Sequence, residues 1–387
     1  MFWGKLFLSV KIMAGVIVLF YLARGLTMGQ VMLLSAIWSM VSVLVEIPSG
    51  YLADRIGRCQ TLLLGGFLFL LSWVVMFCAD SLPEFILMIS LSAAAESCMS
   101  GTEEALLYDS LKESGREAEM TRHNGILASG RTAAKVFLPL LGCLIARDLE
   151  DWQFRLLIVG DATFALIALT FLYRLKEPSF RSDDSVGRPS IFLRSLHLIR
   201  QDPWLVRAIV NKQLAFLAAF LLFRVYQPLL SSLGFSVVAI GLYYAVSRGL
   251  MTLVYRRADG LARLFGTGRL LVITAVSGSV LSLAVGLSGS GWFVFVALLL
   301  GELSFMTREP LFAQSINGRL ESGCRATALS GLNCLGELLS VPIMLLAGWL
   351  VGFGDSGLRY LMFLAAGLAM SAVVLLPLQQ KDLGRTA

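Results

Sequence analysis

The stretch EIPSGYLADRIGRCQTLLLGG, residues 46–66, decides how the chain is read. An apolar run is interrupted by Asp54, Arg55 and Arg58, with Gly50 and Gly57 beside them, and then resumes. A short charged turn between two long apolar runs is what a chain needs to cross a membrane, reverse and cross again. The composition agrees. Of 387 residues, 57% are hydrophobic and only 15% charged, and the mean hydropathy is +0.77. Soluble domains are about 45–50% apolar and about 25% charged, so a water-soluble fold of this length would lack the polar residues to cover its core. Apolar runs of about 20 residues, enough to cross a hydrocarbon layer of about 30 Å, recur along the chain. The reading is an all-α, polytopic membrane protein.

Twelve spans are expected, near residues 6–23, 31–52, 61–79, 84–108, 123–146, 153–173, 205–230, 236–257, 269–288, 291–314, 325–351 and 358–378. The first is read as a retained span, because no small-residue cleavage site follows its apolar run. Most connections are short, but residues 174–204 are polar, basic and marked by Pro178, Pro189 and Pro203. They separate a six-span bundle (1–173) from a second (205–387). Within them Ile191, Phe192, Leu196 and Ile199 fall at helical spacing opposite Arg194, His197 and Arg200. That pattern fits an amphipathic helix on the membrane surface; a solvated linker is the alternative.

Charge fixes the expected orientation. With both termini cytoplasmic, the inner loops collect most of the Lys and Arg, while the outer ones hold only Arg24, Arg147, Arg155 and Arg359, as the positive-inside rule requires. The net charge of +6 and pI of about 9.1 then reflect topology and anionic lipid rather than nucleic-acid binding. Six cysteines without a CxxC pair suggest neither a disulfide framework nor a metal site. The two histidines, His123 and His197, sit at polar edges, so proton chemistry inside the bilayer falls to carboxylates. No cofactor is expected.

A weak internal repeat runs through the two halves. A shift of 209 lays GYLADRIG (50–57) over DGLARLFG (259–266), and a shift of 205 lays EALLYDSL (104–111) over EPLFAQSI (309–316). At 203, Arg122 meets Arg325 and Pro139 meets Pro342. The matches keep their order at equivalent loops and spans, which points to a duplicated six-span unit. Parallel repeats about an axis along the membrane normal are one known transporter architecture.

GYLADRIGRC also resembles the signature loop of the major facilitator superfamily. Gly50, Asp54, Arg55, Gly57 and Arg58 fit it, while Cys59 stands where a second basic residue is usual. SGTEEALLYDSLK and RATALSGLN resemble the fourth span and the start of the eleventh in bacterial twelve-span, drug-resistance-type members. The resemblance implies a monomeric carrier with both termini cytoplasmic, in a bacterial inner membrane. It implies that Asp54 faces the start of span eleven near Arg325, and that Arg58 pairs with Asp109. Such contacts would form a latch on the inner side, an Asp at a helix N-terminus gaining about 0.3–1 kcal/mol. The alternative is that these charges only set topology. In AKVFLPLLGC (134–143), Pro139 and Gly142 fit the glycine-rich pattern of export-type antiporters, but Ala134, Leu138 and Cys143 replace glycines. The direction of transport therefore stays open.

Charges inside spans are costly, about 2.5–3.5 kcal/mol on insertion scales, and are functional candidates by default. Glu96 and Glu302 lie mid-span at nearly equivalent positions of spans four and ten. They are the first candidates for proton carriers or substrate counter-charges, with Glu337 in span eleven a third; a structural pair with an arginine is the alternative. Arg131 and Lys135 share a face of span five and could meet an anionic solute or neutralise Glu96 or Glu103. Arg224 and Arg248, in spans seven and eight, are candidates for contact with the solute. Glu46, just before Pro48, could line the cavity or support a bent helix, and Asp161 is read as structural.

The sequence thus points to a proton-coupled secondary transporter exporting a small organic solute by alternating access, with an importer or symporter of the same fold as the alternative. The partners implied are a small molecule, protons and the bilayer. A membrane-embedded enzyme finds no support: there is no HExxH, no GxxxxGK and no Ser/His arrangement.

Overall fold

The computed structural model describes residues 2–113, 134–177, 202–317 and 325–378. Among these, all regular structure is helical. The chain divides into two compact units, Met1–Gly187 and Arg188–Ala387. The amphipathic segment expected within 174–204 lies almost wholly outside the described residues.

In the first unit the helices are α1 (Phe2–Leu8), a 3-10 turn (Ile12–Gly15), α2 (Ile17–Ala23), α3 (Met28–Ile56), α4 (Arg58–Cys78), α5 (Leu82–Met99), α6 (Thr102–Glu113), α7 (Ala134–Ile145) and α8 (Asp151–Tyr173). In the second they are α9 (Pro203–Ser232), α10 (Val237–Phe265), α11 (Thr267–Leu287), α12 (Gly291–Met306), α13 (Arg308–Asn317), α14 (Arg325–Val351) and α15 (Gly357–Val374). Ten stretches among the described residues are long and apolar enough to span a membrane, and the bent segment at the N-terminus makes eleven.

Local chemistry starts and stops these helices. Thr27 and Ser81 form capping boxes with Gln30 and Glu84, each satisfying amides that the first helical turn leaves unpaired. The reversals at the repeat-matched loops depend on glycine. Gly57 ends α3 and precedes α4 with φ at 106°, and Gly266 joins α10 to α11 with φ at 78°. Other residues adopt that region only under strain.

Two expected spans are interrupted and a third is locally irregular. Span one bends by 54° between residues 3–15 and 17–23. Span four breaks between α5 and α6, where Gly101 has φ at 71°, while span ten is only nicked between α12 and α13 at Thr307, whose dihedrals stay in the helical region. Hydropathy averaged over a span does not register such breaks, because they occupy only a few residues within an apolar run.

Each unit packs by the same plan. The third span rests on the fourth and sixth in the first unit, and the ninth rests on the tenth and twelfth in the second. An aromatic knot of Phe20, Tyr21, Phe85 and Phe154 fills one end of the first unit. Beside it, the largely buried side chain of Arg24 pairs with Asp80 and, at 2.6 Å, with Asp151. In the second unit a cluster containing Leu205, Ile209, Leu271, Leu311 and Phe312 draws together α9, α11 and α13.

Candidate functional site

The densest polar constellation is in the second unit. Glu302, on α12, is 2% exposed and accepts a hydrogen bond from the Ser247 hydroxyl at 2.8 Å and a longer one from Tyr243 at 3.4 Å. Arg248, next along α10, closes an ion pair with its other oxygen. Helical periodicity makes this possible, since residues 243, 247 and 248 fall on one face of α10. A buried carboxylate is tolerable only when paired and hydrogen-bonded, and here three donors converge on one.

Aromatic rings wall the cluster. The Arg248 guanidinium lies 5.1 Å from the Phe223 ring and 5.3 Å from that of Tyr244. Tyr243 stacks on Tyr226 at 4.7 Å and meets the edge of Phe295. Arg248 is also partly open, its side chain 20% exposed, and its Nε–H is buried without an acceptor. The guanidinium therefore keeps donor capacity beyond Glu302. Arg224, half-buried on α9, sits over Phe220 at 4.9 Å. Cations over aromatic faces gain about 0.5–2 kcal/mol according to desolvation.

Other candidates fare differently. Glu96 is exposed, so the two carboxylates expected to be equivalent occupy unlike settings. Glu337 and Glu46 are half-buried, and the Glu46 backbone carbonyl accepts from Ser49 one residue beyond Pro48. Lys135 is exposed on α7. Arg131 lies outside the described residues.

In the signature loop, Gly50 lies within α3, Arg55 is exposed and Arg58 opens α4. The backbone amides of Arg58 and Cys59 each donate to Glu177 at 2.8 Å. The side chains of Asp54, Asp109 and Arg325 lie outside the described residues.

Sequence reasoning missed several participants. Lys5 pairs with Glu103 as a largely buried couple. At repeat-equivalent positions of the second unit, Asn211 accepts from the buried Arg308 guanidinium, which also donates to the Leu271 carbonyl. The Asn211 amide in turn holds the carbonyls of Ala372 and Leu376, at 2.6 and 2.9 Å. Asp161 accepts the amides of Ile12 and Met13 across the break in span one. Polar side chains matched at offsets of 205 and 206 were the available signal for the first two nodes.

Two compact helical units, with ten or eleven membrane-length apolar stretches among the described residues and buried polar clusters within, define a polytopic membrane protein. The chain belongs to the Major Facilitator Superfamily, whose family model matches residues 6–337, and it is a transporter rather than an enzyme. Its fold resembles the nucleoside transporter NupG (TM-score 0.81, 11% identity, 99% of each chain). It also resembles a bacterial homologue of the human lysosomal transporter Spinster, inward-facing and unoccupied (0.78, 16%, 99% of this chain and 95% of that one). The D-xylose-proton symporter scores 0.77 at 14% identity, over 100% of this chain and 98% of that one. At such identities these likenesses speak to fold alone. An uncharacterized MFS-type transporter of Bacillus subtilis strain 168, YxaM, is 23% identical over 249 residues. The match covers 62% of this chain and 59% of that protein's length.

Proposed function

We propose that this chain is a proton-coupled secondary transporter of the bacterial inner membrane, with both termini cytoplasmic, acting as a monomer. It moves a small organic solute by alternating access, in the export direction. One observation carries the reading: Glu302 is buried against Arg248, Ser247 and Tyr243, while Arg248 is partly open to an incoming group. Nothing in this account calls for a bound cofactor.

Glu302 is the proton carrier in this reading, and Arg248 and Arg224 contact the solute. Protonating Glu302 removes the counter-charge of Arg248. A solute carrying a cationic group competes with the proton for Glu302, so the two exchange and the solute leaves as protons enter. An anionic solute instead binds Arg248 when Glu302 is protonated, and the two then travel together. The guanidinium between aromatic faces favours this second reading for a purely anionic solute, and a zwitterion supports the first. Glu96 and Glu337 remain candidate proton groups, and Arg131, Lys135 and Glu46 candidate cavity residues. Asp54 against the start of span eleven at Arg325, with Arg58 against Asp109, remains the proposed inner latch.

Proteoliposomes loaded with a candidate solute separate the two directions. Loss of solute driven by an inward proton gradient supports export; accumulation under that gradient supports symport. Flux indifferent to the gradient overturns proton coupling.

A further inference from the structure

We propose that Asp161 is a proton-binding site whose occupancy sets the shape of the break in the first span. Helix α1 ends at Leu8 and the 3-10 turn begins at Ile12, so the amides at the start of that turn have no helical partner. Asp161, reaching over from α8, supplies one. Its Oδ1 accepts from Ile12 at 2.7 Å and its Oδ2 from Met13 at 3.0 Å. The residue is 1% exposed.

Among the described residues the charged groups around it are few. Lys11, just before the turn, is exposed; its ammonium lies 5.6 Å from the Phe69 ring, and no ion pair joins it to Asp161 among the described residues. Helix α1 brings Lys5, which is paired with Glu103. Helix α4 carries Arg58, Cys59 and Cys78 only at its two ends. Helix α7 brings Cys143, packed on Gly15, and Lys135, which is exposed. Among the described residues Asp161 thus has no ion-pair partner, and its burial favours the neutral acid, while two N–H donors favour the carboxylate. These opposed forces make the protonation state sensitive to small changes at the break.

Protonation turns one carboxylate oxygen into a hydroxyl, a donor and a far weaker acceptor, so one of the two amides is held much less firmly. The turn has little slack to absorb that loss in place. A Cβ on Gly142 would lie 2.2 Å from the Ile12 carbonyl oxygen, and one on Gly15 would lie 2.6 Å from the Cys143 sulfur. Backbone meets backbone here, so a change at residues 12–15 is passed to α7. Binding a proton at Asp161 therefore loosens the joint between the first and fifth spans. The inference is independent of the solute and of any proton on Glu302.

Hydrogen–deuterium exchange on the full-length protein in lipid nanodiscs tests it, following the peptide that covers residues 9–16. After correction for the intrinsic rate, protection in the wild type should fall about tenfold or more between about pH 8 and about pH 5. Glu302→Gln should show the same fall, which separates this site from the transport cluster. Asp161→Asn should be weakly protected at both pH values. Equal protection at both pH values in the wild type overturns the proposal and leaves Asp161 a fixed cap. A pH-dependent loss that persists in Asp161→Asn overturns it as well.

Discussion

The carboxylate of Glu177, just beyond the last span of the first unit, accepts the backbone amide of Arg58 at 2.8 Å and that of Cys59 at the same distance. It caps α4 in trans, since Gly57 offers no side chain for the purpose. A Cβ on Gly57 would lie 3.2 Å from that carboxylate, so the glycine serves both the turn and the approach of Glu177. The signature loop is thereby tied to the point where the chain leaves the first unit. Glu177→Ala should destabilise the protein by about 1 kcal/mol, the usual effect of a lost helix cap, and slow transport. Glu177→Gln keeps one acceptor oxygen and should fall between Ala and wild type. Thermal unfolding in detergent, beside flux in liposomes, reads both.

Lys5 and Glu103 form a largely buried ion pair between the first span and the second half of the fourth. Removing one partner of such a pair costs about 3–5 kcal/mol, because the other charge is left buried alone. Lys5→Met or Glu103→Gln alone should therefore lower the yield of folded protein sharply. The double variant should recover much of it. A double variant as unstable as the worse single one would show that the pair does not act as a unit.

The joint at the broken span should tolerate no added bulk. Gly142→Ala places a methyl group against the Ile12 carbonyl, and overpacking of this kind costs about 1–3 kcal/mol or more. Gly249→Ala, where a Cβ has open space around it, is the control and should behave as wild type in a melting experiment.

Arg248→Lys keeps the positive charge but loses the planar fork that spans Glu302 and two aromatic faces. We expect solute affinity to drop by about tenfold or more, equivalent to about 1.4 kcal/mol, with the folded protein retained. Equilibrium binding of the transported solute measures it; unchanged affinity would remove Arg248 from the site.

The signals legible in sequence were those of length and period. Helix α14 runs over Arg325–Val351, matching the stretch expected from hydropathy, and Gly57 and Gly266 hold equivalent turns as the repeat implied. The breaks in spans one and four were not legible, because each depends on partners distant in sequence or on one backbone angle. Asp161 shows why: it lies about 150 residues from the amides it holds, and no local pattern links them. Within the site, Glu302 and Arg248 could be named as intramembrane charges. Their pairing could not, since it needs the register of α10 against α12. The unlike settings of Glu96 and Glu302 were hidden for the same reason, as a repeat in sequence preserves position on a helix but not the neighbours.

The measurement that bears most directly on the account is proton movement provoked by solute. Purified transporter in weakly buffered solution, with a pH indicator, is mixed with the solute it carries. Wild type should shift the indicator on mixing, whereas Glu302→Gln, which has neither the proton nor the carboxylate to exchange, should give no such shift. An equal proton signal from both proteins would place the coupled proton elsewhere and contradict the role given to Glu302.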